Sequence, residues 1–136
     1  MRGRRGFLVS TAALGACLLT SAVHAGTRPP GSLRADIAEW NIIPSTGVVP
    51  AGEVRIRVRN IGYEPHQLMI VRTRAFAQDL QLRGDRAVAR PVGSPVLVAP
   101  GRAVSFVVHL SRGSYLLVDN LPWHYWKGTQ AAFAVR

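Results

Sequence analysis

Cysteine is almost missing from this chain: the single one, Cys17, sits near the N-terminus. A disulfide framework is therefore excluded, and no thiol is available for chemistry after that position. Lysine is equally scarce, with Lys127 alone, so positive charge is carried by arginine. Acidic residues number 7 against 17 basic ones. No glycine-rich phosphate loop is present, no paired carboxylates stand at a useful spacing, and no Ser–His–Asp order can be defended. These absences argue against an enzyme.

The N-terminus, "MRGRRGFLVSTAALGACLLTSAVHAGT", reads as a targeting segment. Arg2, Arg4 and Arg5 precede an uncharged apolar run, and "VHA" supplies small residues for cleavage before Gly26. A membrane span needs about 20 clean apolar residues, and this run is shorter. Residues 1–25 are assigned to a signal peptide, which places the protein in the periplasm or outside a bacterial cell, with no membrane span. "RRGFL" fits both an ordinary secretory signal and the twin-arginine signal. "LGAC" resembles a lipoprotein box with Cys17 as the lipid anchor, but the apolar run continues past it to "VHA".

Cleavage would remove three of the 17 basic residues and none of the 7 acids, leaving an excess of seven positive charges. Such an excess favours anionic partners. It lacks the aromatic interleaving of a nucleic-acid platform, and export argues against nucleic acid as well.

What is present is a series of short apolar segments. "GTRPPGS", residues 26–32, has linker composition. In "PAGEVRIRVRNIG", Val54, Ile56 and Val58 alternate with Arg55, Arg57 and Arg59. Period two puts the aliphatic residues on a core face and the arginines in solvent. "HQLMIVRT" (66–73) is continuously apolar, as for a strand covered on both sides. "AVSFVVHL" (103–110), "SYLLVDN" (114–120) and "QAAFAVR" (130–136) follow. "PAG", "NIGYEP", "APG" and "SRG" supply turns between them. Residues 74–82, "RAFAQDLQL", invite a short helix. The pattern predicts an all-β sandwich of about eight strands.

Three histidines follow residue 25. His109 lies opposite the face of Val104, Phe106 and Val108 and is expected in solvent. His66 opens a strand after a turn. His124 sits in a loop five positions after Asp119. Each alone reads as an ordinary surface residue; the carboxylate at fixed spacing from His124 raises the case for a metal.

At this level of detail the chain resembles the plastocyanin-like cupredoxins. "AEWNIIPSTGVVPAGEVRIRVRNIGYEPHQLMIVRT" is similar to their first half, with the "VPAG" turn, a strand, an Asn-x-Gly turn and a histidine. "APGRAVSFVVHLSRGSYLLVDNLPWHYWKGTQAAFAV" is similar to the second half, which in the family carries "CN-x-PGHY-x-x-GM". The resemblance covers residues 33–136 and implies a Greek-key β-sandwich.

It also implies a ligand set. The family's blue-copper site uses two histidines, a cysteine and a weak axial methionine. On this chain those positions are His66, His124, Asp119 and Thr129, and Trp123 replaces the family's glycine. Both imidazoles are kept and both sulfurs are lost. The set His66, Asp119, His124 and Thr129 suits Cu(II) or another divalent ion better than Cu(I), and it implies a non-blue site. Metal handling is expected rather than fast electron transfer. The alternative is a metal-free module with no cofactor, acting on a protein partner. Two faces are offered to such a partner: Trp123 and Trp126, with Trp40 near them, and the basic row Arg55, Arg57, Arg59, which is first of all a solvated surface.

Overall fold

Alternation becomes burial in β4 (Gly52–Asn60), where Val54, Ile56 and Val58 are fully buried and Arg55, Arg57 and Arg59 are exposed. Burying each such aliphatic side chain contributes about 1.5–3 kcal/mol, enough to fix the strand's facing. The structure, a computed structural model, describes residues 30–74 and 80–136. The assigned signal peptide lies outside the described residues.

Around β4 a four-stranded sheet assembles in the order β2-β1-β4-β9. Its other members are β1 (Gly31–Ala38), β2 (Asn41–Pro44) and β9 (Ala103–Leu110). β1 pairs with β4 in parallel, and β9 pairs with β4 antiparallel. A five-stranded sheet faces it in the order β3-β11-β10-β5-β8. It is built from β3 (Val48–Val49), β5 (His66–Thr73), β8 (Val96–Val98), β10 (Gly113–Asp119) and β11 (Gln130–Val135). The chain thus forms a two-sheet β-sandwich, with a two-stranded ribbon of β6 (Leu82–Arg83) and β7 (Arg86–Ala87) outside it.

The main core lies between the sheets. Leu33, Ile37 and Ile56 meet Leu68, Ile70, Leu117 and Phe133 there. A second, smaller core covers the outer side of the five-stranded sheet, where Met69, Val71, Leu116 and Val118 pack with Ala87 and Tyr125. This explains the continuous apolar run of β5, which is buried on both faces. Tyr115 Oη donates to the Ser111 carbonyl at 2.8 Å and pins the β9–β10 connection.

Three details differ from the sequence reading. β1 begins at Gly31, inside the stretch that composition assigns to the linker, because residues from Gly31 onward pair with Val54 and its successors. The helix anticipated over 74–82 falls largely on residues outside those described, and its last residue, Leu82, belongs to β6. Eleven strands form among the described residues rather than about eight, the excess being two- and four-residue pieces such as β2, β3, β6 and β7. His109 is exposed as expected.

Candidate metal centre

Strand register brings the first two site residues together. β5 and β10 are antiparallel neighbours with Leu68 opposite Asp119, so the start of one and the end of the other share one pole of the sandwich. His66 is the first residue of β5 and Asp119 the last of β10. The loop from 120 to 129 then folds back over that pole. Its turns are closed by backbone bonds from Lys127 to Trp123, Gly128 to Tyr125 and Thr129 to His124. Gly128 takes φ 101°, a value favouring glycine, and this swing lets Asp119 N–H donate to the Thr129 carbonyl at 3.0 Å.

The result is a buried cluster. His66 Nδ1 and His124 Nδ1 each lie 2.6 Å from Asp119 Oδ2. The two imidazole rings stand edge to face, with centroids 5.3 Å apart. The other carboxylate oxygen, Oδ1, accepts from the backbone N–H of Gln67 at 3.0 Å and of Leu121 at 3.2 Å. Those bonds hold Oδ1 away from the histidines and aim Oδ2 between them. Thr129 is fully buried beside Asp119 in the same loop, and its Oγ1 has no hydrogen-bond partner. All four residues that the sequence nominated are therefore buried at this pole, and three present ligand atoms within 4.8 Å of one another.

The chemistry of the cluster depends on where protons sit. With a proton on each Nδ1, both imidazoles donate to Oδ2, while His66 Nε2 stays buried without a hydrogen-bond partner. With those protons gone, three lone pairs point at one region, where a cation can hold them together. Two ligands on one tetrahedral ion with bonds of about 2.0 Å lie about 3.3 Å apart. The observed 2.6 Å separations must therefore open by less than about 1 Å to admit an ion. Two imidazoles, a carboxylate and a hydroxyl form a nitrogen–oxygen donor set, and that chemistry fits a borderline divalent ion.

Several residues around the cluster carried no signal of their own in the sequence. Glu39 Oε1 accepts from the backbone N–H of Tyr63 at 2.6 Å and of Glu64 at 2.8 Å. Its carboxyl is held below the usual range, first by the Glu64 amide bond. A Cβ at Gly62 would run into that carboxylate and push it off the two amides it binds. Behind the rings, His66 Nε2 lies 3.9 Å from Glu39 Oε1, and His124 Nε2 lies 3.5 Å from Glu64 Oε2. Buried Asn60 closes the same turn: its Nδ2 donates to the Glu64 and Val98 carbonyls and its Oδ1 accepts from Gly62 N–H. The "NIGYEP" stretch marked a turn, but these partners depend on contacts that spacing does not reveal.

The aromatic rim is also particular. Trp40 meets His124 edge-on at 5.3 Å, and Lys127 Nζ lies 3.7 Å above the Trp40 ring. Trp123 and Trp126 stand edge to face at 6.2 Å, both substantially exposed. Among the described residues, the non-glycine positions with positive φ are Trp40 (65°) and Trp123 (67°), both at this pole.

No family model and no curated protein matches the chain. Solved structures do. The reduced auracyanin of the photosynthetic bacterium Roseiflexus castenholzii matches with a TM-score of 0.57 at 18% identity, over 77% of this chain and 96% of that one. Auracyanin B matches with a TM-score of 0.54 at 18% identity, over 77% and 88%. Rusticyanin from Thiobacillus ferrooxidans matches with a TM-score of 0.55 at 16% identity, over 77% of each chain. At such identities the likeness establishes the fold alone, and that fold is the cupredoxin-like β-sandwich.

Proposed function

We propose that this is an exported cupredoxin-like protein that binds Cu(II), or another divalent ion, through His66, Asp119 and His124, with Thr129 beside them. The observation that carries this reading is the convergence of both Nδ1 atoms on a single carboxylate oxygen among buried side chains. A structure described as that of the copper protein rusticyanin shares the fold, which supports copper as the ion to try first. The histidines would supply nitrogen donors, and Asp119 would supply a hard oxygen where the resembling family has a soft thiolate. Loss of both sulfurs favours one oxidation state over cycling between two, so the role is metal handling in the periplasm, not fast electron transfer and not catalysis.

A second reading rests on the same distances. With a proton on each Nδ1, Oδ2 accepts two hydrogen bonds at 2.6 Å, so protons alone can hold the three side chains together. The protein would then be a metal-free module whose tryptophan-rich pole engages a protein partner.

Thermal unfolding with and without Cu(II) or Zn(II) separates the two. An ion bound only by the folded chain raises the melting temperature by an amount that grows with the logarithm of its free concentration above Kd. The metal reading expects a rise that keeps growing with ion concentration and that is lost in His66→Ala/His124→Ala. No rise with either ion would leave the metal-free module as the better account.

A further inference from the structure

We propose that the outer face of the four-stranded sheet, centred on Arg34 and Arg57, docks an acidic protein surface. This goes beyond the metal reading and does not depend on it.

The face is organised by the parallel pairing of β1 with β4. Register sets Ser32 beside Arg55, Arg34 beside Arg57 and Asp36 beside Arg59. On the far side, β9 sets Ser105 beside Arg57 and Val107 beside Arg55. Four arginines therefore share one exposed surface, joined by the serines of the flanking strands. Asp36 is already engaged: its two oxygens accept from Arg59 Nε and Nη2 at 3.0 Å each. Arg34, Arg55 and Arg57 form no ion pair among the described residues. The sequence singled out Arg55, Arg57 and Arg59; the fold takes Arg59 out of that group and puts Arg34 in.

Arg34 and Arg57 are direct cross-strand neighbours, on strands about 4.8 Å apart. Like charges in that relation destabilise a sheet. Nothing in the row compensates them, since Ser45, bonded to Arg34 through its Oγ, lies on one side and Ser105 on the other. An approaching carboxylate would relieve the repulsion, and the planar guanidinium accommodates it through two parallel hydrogen bonds.

The choice of a protein over a lipid surface rests on what surrounds the arginines. The exposed apolar side chains on the face are single and short, Ile43 on one flank and Val107 on the other. Arginine is enriched at protein–protein contacts, where its planar head pairs with carboxylates. The tryptophans that would seat in a headgroup layer stand instead at the metal pole. The surface is small, four strands wide, which belongs with transient, charge-steered encounters.

The test uses the purified protein with poly-L-glutamate as the acidic probe, followed by amide chemical shifts and titration at low and moderate salt. Arg34→Ser/Arg57→Ser is compared with Arg112→Ser/Arg136→Ser, which removes the same charge from exposed positions elsewhere. We expect saturable binding that weakens with salt, shifts confined to β1, β4 and β9, and a loss of about tenfold or more in the first variant only. We also expect that variant to melt no lower than wild type, because it removes repulsion. Equal weakening in both variants would reduce the effect to net charge and overturn the proposal. Arginine-dependent binding to phosphatidylglycerol vesicles without binding to poly-L-glutamate would overturn it in favour of a membrane surface.

Discussion

His66 and Asp119 lie 53 positions apart in the chain, yet their Nδ1 and Oδ2 atoms approach to 2.6 Å in the buried pole of the sandwich. The register of β5 against β10 imposes that meeting, and the loop to Thr129 adds His124 on the other side of the same oxygen. The consequences can be measured separately.

If Asp119 holds the position of a thiolate ligand, restoring sulfur should restore colour. Cu(II)-loaded Asp119→Cys is expected to absorb strongly near the red end of the visible range, while the Cu(II)-loaded wild type after residue 25 stays pale for want of a cysteine. A colourless Asp119→Cys protein that still binds Cu(II) would show that residue 119 does not face the ion.

Asp119 also holds the pole together without any ion. Its carboxylate faces both imidazoles and two backbone amides, and it is fully buried. Asp119→Asn would set an amide N–H₂ against groups that themselves donate. A loss of about 2–4 kcal/mol is expected, seen as a lower urea midpoint at neutral pH. An unchanged midpoint would mean that the bonds to Asp119 contribute nothing net.

Trp123 sits at φ 67°, where a side chain costs about 1 kcal/mol or more and glycine does not. Trp123→Gly and Trp123→Ala both remove the indole, so their difference isolates the backbone. The glycine variant is expected to be more stable by about 1 kcal/mol. Alanine equal to or better than glycine in thermal unfolding would argue against strain at this position.

Glu39 is held below its ordinary value of 4.5, chiefly by the Glu64 amide. The folded chain therefore favours its carboxylate more than the unfolded chain does. That contribution is complete above the unfolded value and disappears as pH falls through the lowered folded one. Because the group is only partly buried, solvent keeps the effect small. Urea midpoints of wild type and Glu39→Gln should differ at neutral pH and converge in acid. A gap that widens in acid would reverse the sign and refute the assignment.

Much of the fold was legible because its signals are local. Alternation over 54–58 set the facing of β4, and the continuous apolar run of 66–73 announced a strand buried on both sides. The resemblance to the cupredoxins, carried by the order of turns and histidines, implied His66, Asp119, His124 and Thr129 as one group. What remained hidden depends on distant pairing. Gly31 and Ser32 look like linker until β4 pairs with them. β3 is two residues added to the edge beside β11. Glu39 meets the amides of Tyr63 and Glu64 from 24 and 25 positions away, with no spacing to betray it. The juxtaposition of Arg34 and Arg57 follows from parallel register, which no single strand can show.

The most direct test of metal binding at this pole is a Cu(II) titration followed by electron paramagnetic resonance, in wild type and in His66→Ala/His124→Ala. Protons compete with the ion for the ring nitrogens, so the signal should also weaken on acidification. Wild type is expected to give a saturable signal with coupling to two nitrogens, and the double variant to lose it. Identical weak binding by both proteins, without that coupling, would contradict a metal site built from His66, Asp119 and His124.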